Sequence, residues 1–212
     1  MPLLEIEQKF SFTLANLALL TRNLGSPPFK TLADFRTQAF RDTYYDSHNQ
    51  LSNAGLWLRK RHLLSDSSHP STTSSASRAP QWEAKQSAPG SSFLRSTFSE
   101  TKDRRAILAL VRAHFPADPR RGLHNDFGLD AIADFETYRY AFLADGKFTV
   151  VLDKTSFGHQ VGEVEVLAED AEGAHAEIDT FCEMYRWFID REGVKGKLTA
   201  YFERYGFPKD GA

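Results

Sequence analysis

The sequence predicts an α+β fold in which antiparallel strands curl into a closed β-barrel with helices packed outside. Three observations carry this expectation. Short runs alternate apolar and polar residues with a period of two, and four other segments place apolar residues at helical spacing. The polar faces of the strands carry ionisable side chains in i, i+2 pairs instead of mixed polar filler.

The first run, LLEIEQKF from Leu3, alternates Leu4 and Ile6 with Glu5, Glu7 and Lys9, so every charge lies on one face of a strand. TLANLALLTRNLG then repeats Leu14, Leu17, Leu20 and Leu24 at helical spacing, with Gly25 at the expected C-terminal end. FRDTYYD has strand-forming aromatics, SHNQLSNAG is turn chemistry, and LWLRKRHLL alternates again, so the three read as a hairpin. Residues 65–80 are dominated by Ser, Thr, Ala and Pro, which bury too little apolar area to offset their ordering entropy. They are expected to form a disordered loop inserted between two strands. Neither flank could fold alone, so 1–212 is read as a single domain.

Strand character resumes at QWEAKQS and, after a turn at Ala88-Pro89-Gly90, at FLRSTFSE. KDRRAILALVRAHF reads as a helix with Ile107, Leu110, Val111 and Phe115 on one side, Arg104, Arg105 and Arg112 in solvent, and Pro116 closing it. Residues 117–128 read as loop. Three further strands follow, ADFETYRYAFL, KFTVVLDKT and QVGEVEVLA, with Asp145-Gly146 as the turn between the first two. A long helix from Asp170 to Arg191, turning Ile178, Phe181, Tyr185 and Phe188 inward, and a short one, KLTAYFERYG, finish the chain. No internal repeat is present.

Bulk composition excludes several function classes. Lys and Arg total 26 against 28 Asp and Glu in 212 residues, a net charge of −2. With a pI near 6.4, no global basic field exists to bind nucleic acid or anionic lipid. The single cysteine, Cys182, cannot form an internal disulfide, and no run approaches the ~18 apolar residues of a membrane span. These features suggest a soluble, cytoplasmic protein, expected to be a monomer, with no nucleic-acid or membrane partner.

Function must therefore come from where the balanced charges sit. Glu5, Glu7 and Lys9 share a face, as do Arg59 and Arg61, then Glu83 and Lys85, then Glu163 and Glu165. Their neighbours of opposite parity, among them Leu4, Ile6, Leu58, Trp82, Ala84, Val164 and Val166, are apolar and can pack beneath helices. In a closed barrel the charges converge on the lumen; in an open sheet they would simply form a solvated face. Segregation of a carboxylate set from a guanidinium and ammonium set favours the barrel. Clustered carboxylates repel one another unless neutralised, and their hard oxygens suit Mg²⁺ or Mn²⁺. Clustered Arg and Lys call for a polyanion, and Arg matches phosphate through its fork. A small-molecule polyphosphate bridged to the carboxylates by a divalent metal satisfies both halves.

EIEQK at Glu5 to Lys9 matches the ExExK signature of the CYTH superfamily, the triphosphate tunnel metalloenzymes. FRDTYYDS, WLRKR, WEAK, GEVEVL and GKLTAYFERY resemble its thiamine-triphosphatase branch in order and spacing. The resemblance implies an eight-stranded antiparallel tunnel that hydrolyses a triphosphate, here thiamine triphosphate to thiamine diphosphate and phosphate, with Mg²⁺. Carried over by position, Glu5, Glu7, Glu163 and Glu165 resemble metal ligands, with Glu100 as a further carboxylate. Lys9, Arg59, Arg61, Lys85, Arg139 and Lys197 resemble phosphate contacts. Trp57 resembles the residue that stacks on the thiamine ring, although a strand Trp also serves as an apolar anchor. Where related enzymes read VDLD, this chain reads VVLD: Val151 replaces the first Asp, and Asp153, of the same parity, is the carboxylate two residues along. This leaves the number of metals open, and no residue is assigned as general base.

Other signals are set aside. GVKGKL lacks the spacing and the Ser or Thr of a phosphate loop. The seven His residues show no zinc spacing, His159 is expected in solvent, and Cys182 reads as a buried, inert thiol. Alternatives to the thiamine-specific reading are an inorganic tripolyphosphatase, adenylate cyclase chemistry and a non-catalytic polyphosphate- or nucleotide-binding tunnel.

Overall fold

Because successive strand residues point to opposite faces, the alternation in the sequence sorts each strand into one charged side and one apolar side. The computed structural model describes residues 3–64, 79–92, 94–116 and 118–207. Its strands are β1 (Leu4–Phe10), β2 (Leu32–Asp46), β3 (Leu56–Leu63), β4 (Gln81–Ser87), β5 (Arg95–Thr101), β6 (Asp130–Ala144), β7 (Phe148–Thr155) and β8 (Gln160–Ala168). They close into a barrel in the order β1-β5-β4-β3-β2-β6-β7-β8, each neighbour antiparallel. Register sets Glu7 opposite Glu165, Lys9 opposite Glu163, Arg59 opposite Glu83 and Arg139 opposite Asp153. The charged parity therefore stays on the inside all the way round, and the open-sheet alternative falls.

The helices are α1 (Leu14–Leu20), α2 (Gln50–Asn53), α3 (Arg104–His114), α4 (Ala171–Met184) and α5 (Lys197–Tyr205). Outward Ile6, Val164 and Val166 are buried with Ile178 and Phe181 of α4. Leu58, Trp82 and Ala84 are buried with Ile107 and Val111 of α3. Each such fully buried side chain contributes roughly 1.5–3 kcal/mol. The last helix differs from the others. Phe202 of α5 is buried with Tyr44, Ala133 and Phe135, which share the inward parity of Asp42 and Arg59, so α5 is seated on the lumen side at one end.

Several local expectations are corrected. Gly25 does not cap α1, which ends at Leu20; a Cβ there would lie 1.8 Å from the Trp187 ring, so glycine permits a close approach. β2 begins at Leu32, eight residues before the predicted strand, and the turn after it contains the single helical turn α2. The long C-terminal helix stops at Met184 instead of Arg191. Tyr185 stacks on Phe29 at 4.2 Å and donates from its hydroxyl to Asp145 Oδ2 at 2.6 Å, which draws the chain out of the helix. Phe188 and Ile189 remain buried without helical backbone, and Asp190 bridges to Ser11. His159, expected in solvent, is half-buried with Nε2 2.8 Å from the Lys195 carbonyl. Most of the expected insert, residues 65–78, lies outside the described residues. Among the described residues no helix is long and apolar enough to cross a membrane.

Candidate active site

Inward side chains of the barrel line a cavity of about 480 Å³ that also takes in Gly196, Lys197 and Leu198 at the start of α5. Six carboxylates and seven Lys or Arg side chains line it. Every residue assigned to the site from sequence faces this cavity except Asp153, which lies buried directly behind Arg139 and Lys197.

The carboxylates fall into two groups. Glu5, Glu7 and Glu165 bring one oxygen each to within 4.8 Å of one another. Glu5 Oε2 is buried without a hydrogen-bond partner, with the Lys85 ammonium 2.7 Å away as its ion-pair neighbour. Burial pushes the Glu165 carboxyl up to about 8, with Glu163 and Glu5 adding repulsion against the pull of Arg139 and Lys85. An under-neutralised cluster of three hard oxygen donors fits a divalent cation.

The second group holds the cations. Asp153 accepts from Arg139 Nε and a terminal guanidinium nitrogen, both at 2.7 Å, and from Lys197. Glu163 faces Lys9 and Arg139, each at 3.7 Å. Burial alone would raise its carboxyl, but Lys197, Lys9 and Arg139 outweigh this and hold it well below the usual range. Glu100 stands at the cavity edge, 3.5 Å from Lys102. Thus Asp153, Glu163 and Glu100 do not join the three-carboxylate cluster. Val151 is buried on the inward face, paired across strands with Ala141 and Glu163, and offers no ligand.

Cationic residues are oriented in the same way. Lys9 bonds Glu7, and Lys85 lies between Glu5 and Glu7. Burial would lower the Lys85 ammonium, but Glu7 and Glu5 keep it above its ordinary value. Arg59 binds Glu83 through Nε at 2.8 Å, and Arg61 forks onto Asp42 with two bonds of 2.7 Å. Burial of Glu83 is outweighed by Arg59 and Arg61, which bring its carboxyl down to about 2. Trp57, half-buried, lines the cavity two residues before Arg59. Asp42 was missed by sequence reasoning, and Glu83 was placed on the charged face without a role. The alternation Phe40, Asp42, Tyr44 puts Asp42 inside, but parity cannot tell which inward carboxylate meets a metal and which meets an arginine.

Human thiamine-triphosphatase is 29% identical over 189 residues, spanning 78% of this chain and 73% of the human one. A Hippeastrum protein described as a putative adenylyl cyclase with a dominant triphosphatase activity superposes with a TM-score of 0.56 at 17% identity, over 95% of this chain and 96% of that one. A Pyrococcus horikoshii protein gives a TM-score of 0.60 at 15% identity, over 94% and 99%. The CYTH domain family model matches residues 3–189, which carry all eight strands and the three-carboxylate cluster, and the chain therefore belongs to the CYTH domain family.

Proposed function

We propose that the chain hydrolyses thiamine triphosphate to thiamine diphosphate and phosphate with a divalent cation, Mg²⁺ or Mn²⁺. The observation that carries this reading is the meeting of the Glu5, Glu7, Glu165 cluster with preoriented Arg and Lys side chains in one lumen. Human thiamine-triphosphatase, matched over most of its length, supports the choice of substrate.

Lys9, Lys85, Arg59, Arg61, Arg139 and Lys197 bind phosphate oxygens, and the arginines offset charge that develops as the terminal phosphoryl group passes to water. Each guanidinium is already fixed by a carboxylate, so little reorganisation is needed when substrate arrives. Because the lining charges nearly balance, a polyanion entering alone would face the Glu5, Glu7 and Glu165 cluster, and a divalent cation held there would offset that repulsion. A divalent cation held by these three carboxylates supplies positive charge to the phosphate oxygens and lowers the pKa of water. Trp57 offers an indole face to the cationic thiazolium, a contact of roughly 0.5–2 kcal/mol.

Phosphate release from thiamine triphosphate, tripolyphosphate and ATP, measured side by side, tests the substrate. A kcat/KM for thiamine triphosphate at least roughly tenfold above the other two supports it. Preference for tripolyphosphate would leave a general triphosphatase and make Trp57 a packing residue. A non-catalytic tunnel is the second reading, favoured by Val151 on the inward face; tight tripolyphosphate binding without turnover of any of the three would establish it.

A further inference from the structure

GVKGKL is not a phosphate loop, yet it delivers a cation to the lumen. Lys197 is the first residue of α5; its ammonium bonds Asp153 and leads the attractions that hold the Glu163 carboxyl low. The helix itself does little to fix where that residue stands. Its N-cap, Gly196, has no side chain to accept from the first amides. The Lys195–Glu203 pair, 2.7 Å apart, is half-exposed at both ends and contributes little.

The turn between β7 and β8 supplies what the helix lacks. Thr155 folds it: its amide and hydroxyl donate to the His159 carbonyl at 2.9 and 3.1 Å, and the same hydroxyl accepts from the His159 amide at 3.0 Å. From this base the Phe157 carbonyl accepts from a terminal guanidinium nitrogen of Arg204 at 2.7 Å, near the C-terminal end of α5. His159 Nε2 stands 2.8 Å from the Lys195 carbonyl, one residue before the N-cap. A carbonyl only accepts, so Nε2 carries the ring proton. Burial pushes the imidazole down, and Lys197 and Lys195 add to this against the bond to the Lys195 carbonyl and the charge of Glu203, so the ring is neutral at pH 7. Its plane lies 5° from that of Phe157, with centroids 6.2 Å apart, and Phe157 is buried with Phe135 and Phe202, which sets the direction of the donor. His159 is not among the residues that line the cavity.

We propose that His159 is a positioning residue for phosphate binding: by holding the Lys195 carbonyl it fixes where α5 starts, and so brings Lys197 into the lumen beside Asp153 and Glu163. This rests on the triphosphate reading of the cavity. The bond exists before substrate arrives, so the ammonium is preoriented; without it the same order must be imposed at binding and weakens it. Because Lys197 meets phosphate and Trp57 meets the organic group, loss of His159 weakens thiamine triphosphate and tripolyphosphate alike.

The test is a double-mutant cycle on tripolyphosphate binding, measured by calorimetry with Mg²⁺ on wild type, His159→Ala, Lys197→Ala and the two combined. His159→Gln, whose amide nitrogen is a donor of similar reach, is the conservative variant. His159→Ala is expected to weaken binding by about threefold to tenfold, the range of one net hydrogen bond, and to raise KM for both substrates by the same factor with kcat little changed. His159→Gln should recover most of this. Lys197→Ala should lose roughly tenfold or more, and adding His159→Ala to it should change nothing further. The same factor lost again in the Lys197→Ala background, or His159→Gln no better than His159→Ala, overturns the proposal, since the imidazole would then pack the turn without acting through Lys197. Unweakened binding by His159→Ala overturns it as well. If wild type binds tripolyphosphate but turns over no triphosphate, the enzymatic reading fails and the cycle still decides the role of His159; if wild type binds none, both fall. His159→Phe, which keeps the ring against Phe157 and lacks the donor, takes the place of His159→Ala in the cycle if that variant does not fold.

Discussion

Arg139 and Asp153 stand directly opposite each other on β6 and β7 and join through two parallel bonds of 2.7 Å, with Lys197 of α5 closing on the same carboxylate. Replacing Asp153 with Asn leaves two buried cations facing a neutral amide. Removing one partner of a buried pair costs about 3–5 kcal/mol, so urea denaturation should show a loss of that order. Burial would raise the Asp153 carboxyl, but Lys197 and Arg139 outweigh it and hold it below its ordinary value. Its contribution is therefore complete above the unfolded pKa of ~3.9 and is lost as pH falls through the lower native value. Asp153→Asn should flatten that acid limb.

Glu165 behaves in the opposite sense. Its carboxyl, at about 8, is protonated at neutral pH in the metal-free protein. Since the native pKa exceeds the unfolded one, metal-free stability should decline as pH rises from the unfolded value through about 8. Cation binding needs the carboxylate, so it releases a proton. Calorimetry in buffers of different ionisation enthalpy should show release approaching one proton per cation near neutrality and vanishing well above pH 8, and Glu165→Gln should abolish the dependence. Unchanged proton release in that variant would remove Glu165 from the cation site.

Trp57→Ala separates the two triphosphatase readings. Loss of roughly 0.5–2 kcal/mol of cation–π contact should raise KM for thiamine triphosphate by about twofold to thirtyfold and spare tripolyphosphate. Equal losses on both substrates would leave Trp57 no role in stacking.

Gly162 connects the fold to the site. A Cβ there would lie 2.3–2.6 Å from the Phe10 ring, and β1 and β8 carry Glu5, Glu7 and Glu165. Gly162→Ala should destabilise the protein by about 1–3 kcal/mol and weaken cation binding as the two strands move apart. Thermal unfolding and calorimetry on one preparation check both parts.

Much of this arrangement was legible in the sequence, because a period of two fixes the face of every strand residue. Glu5, Glu7, Lys9, Arg59, Arg61, Lys85, Glu163 and Glu165 could be placed together from strand parity, and the structure brings them into one lumen. The first half of β2 was not legible: Ala33 to Arg36 passes through a register shift, and its exposed residues carry no alternation. The end of α4 was hidden for another reason. Phe188 and Ile189 are as buried in a turn as they would be in a helix, so apolar spacing continues past the hydrogen bonds. Asp42, Asp153 and Glu83 show the remaining limit, since their pairing with arginines depends on which side chains meet across the lumen.

The most direct test of the account is phosphate release from thiamine triphosphate by the wild-type protein after EDTA treatment, followed by readdition of Mg²⁺ or Mn²⁺. The account predicts that EDTA abolishes turnover and that either cation restores it, with Glu7→Gln failing to recover. Turnover that persists in EDTA, or a Glu7→Gln variant restored as fully as wild type, would contradict the central claim that the Glu5, Glu7 and Glu165 carboxylates hold a cation required for hydrolysis.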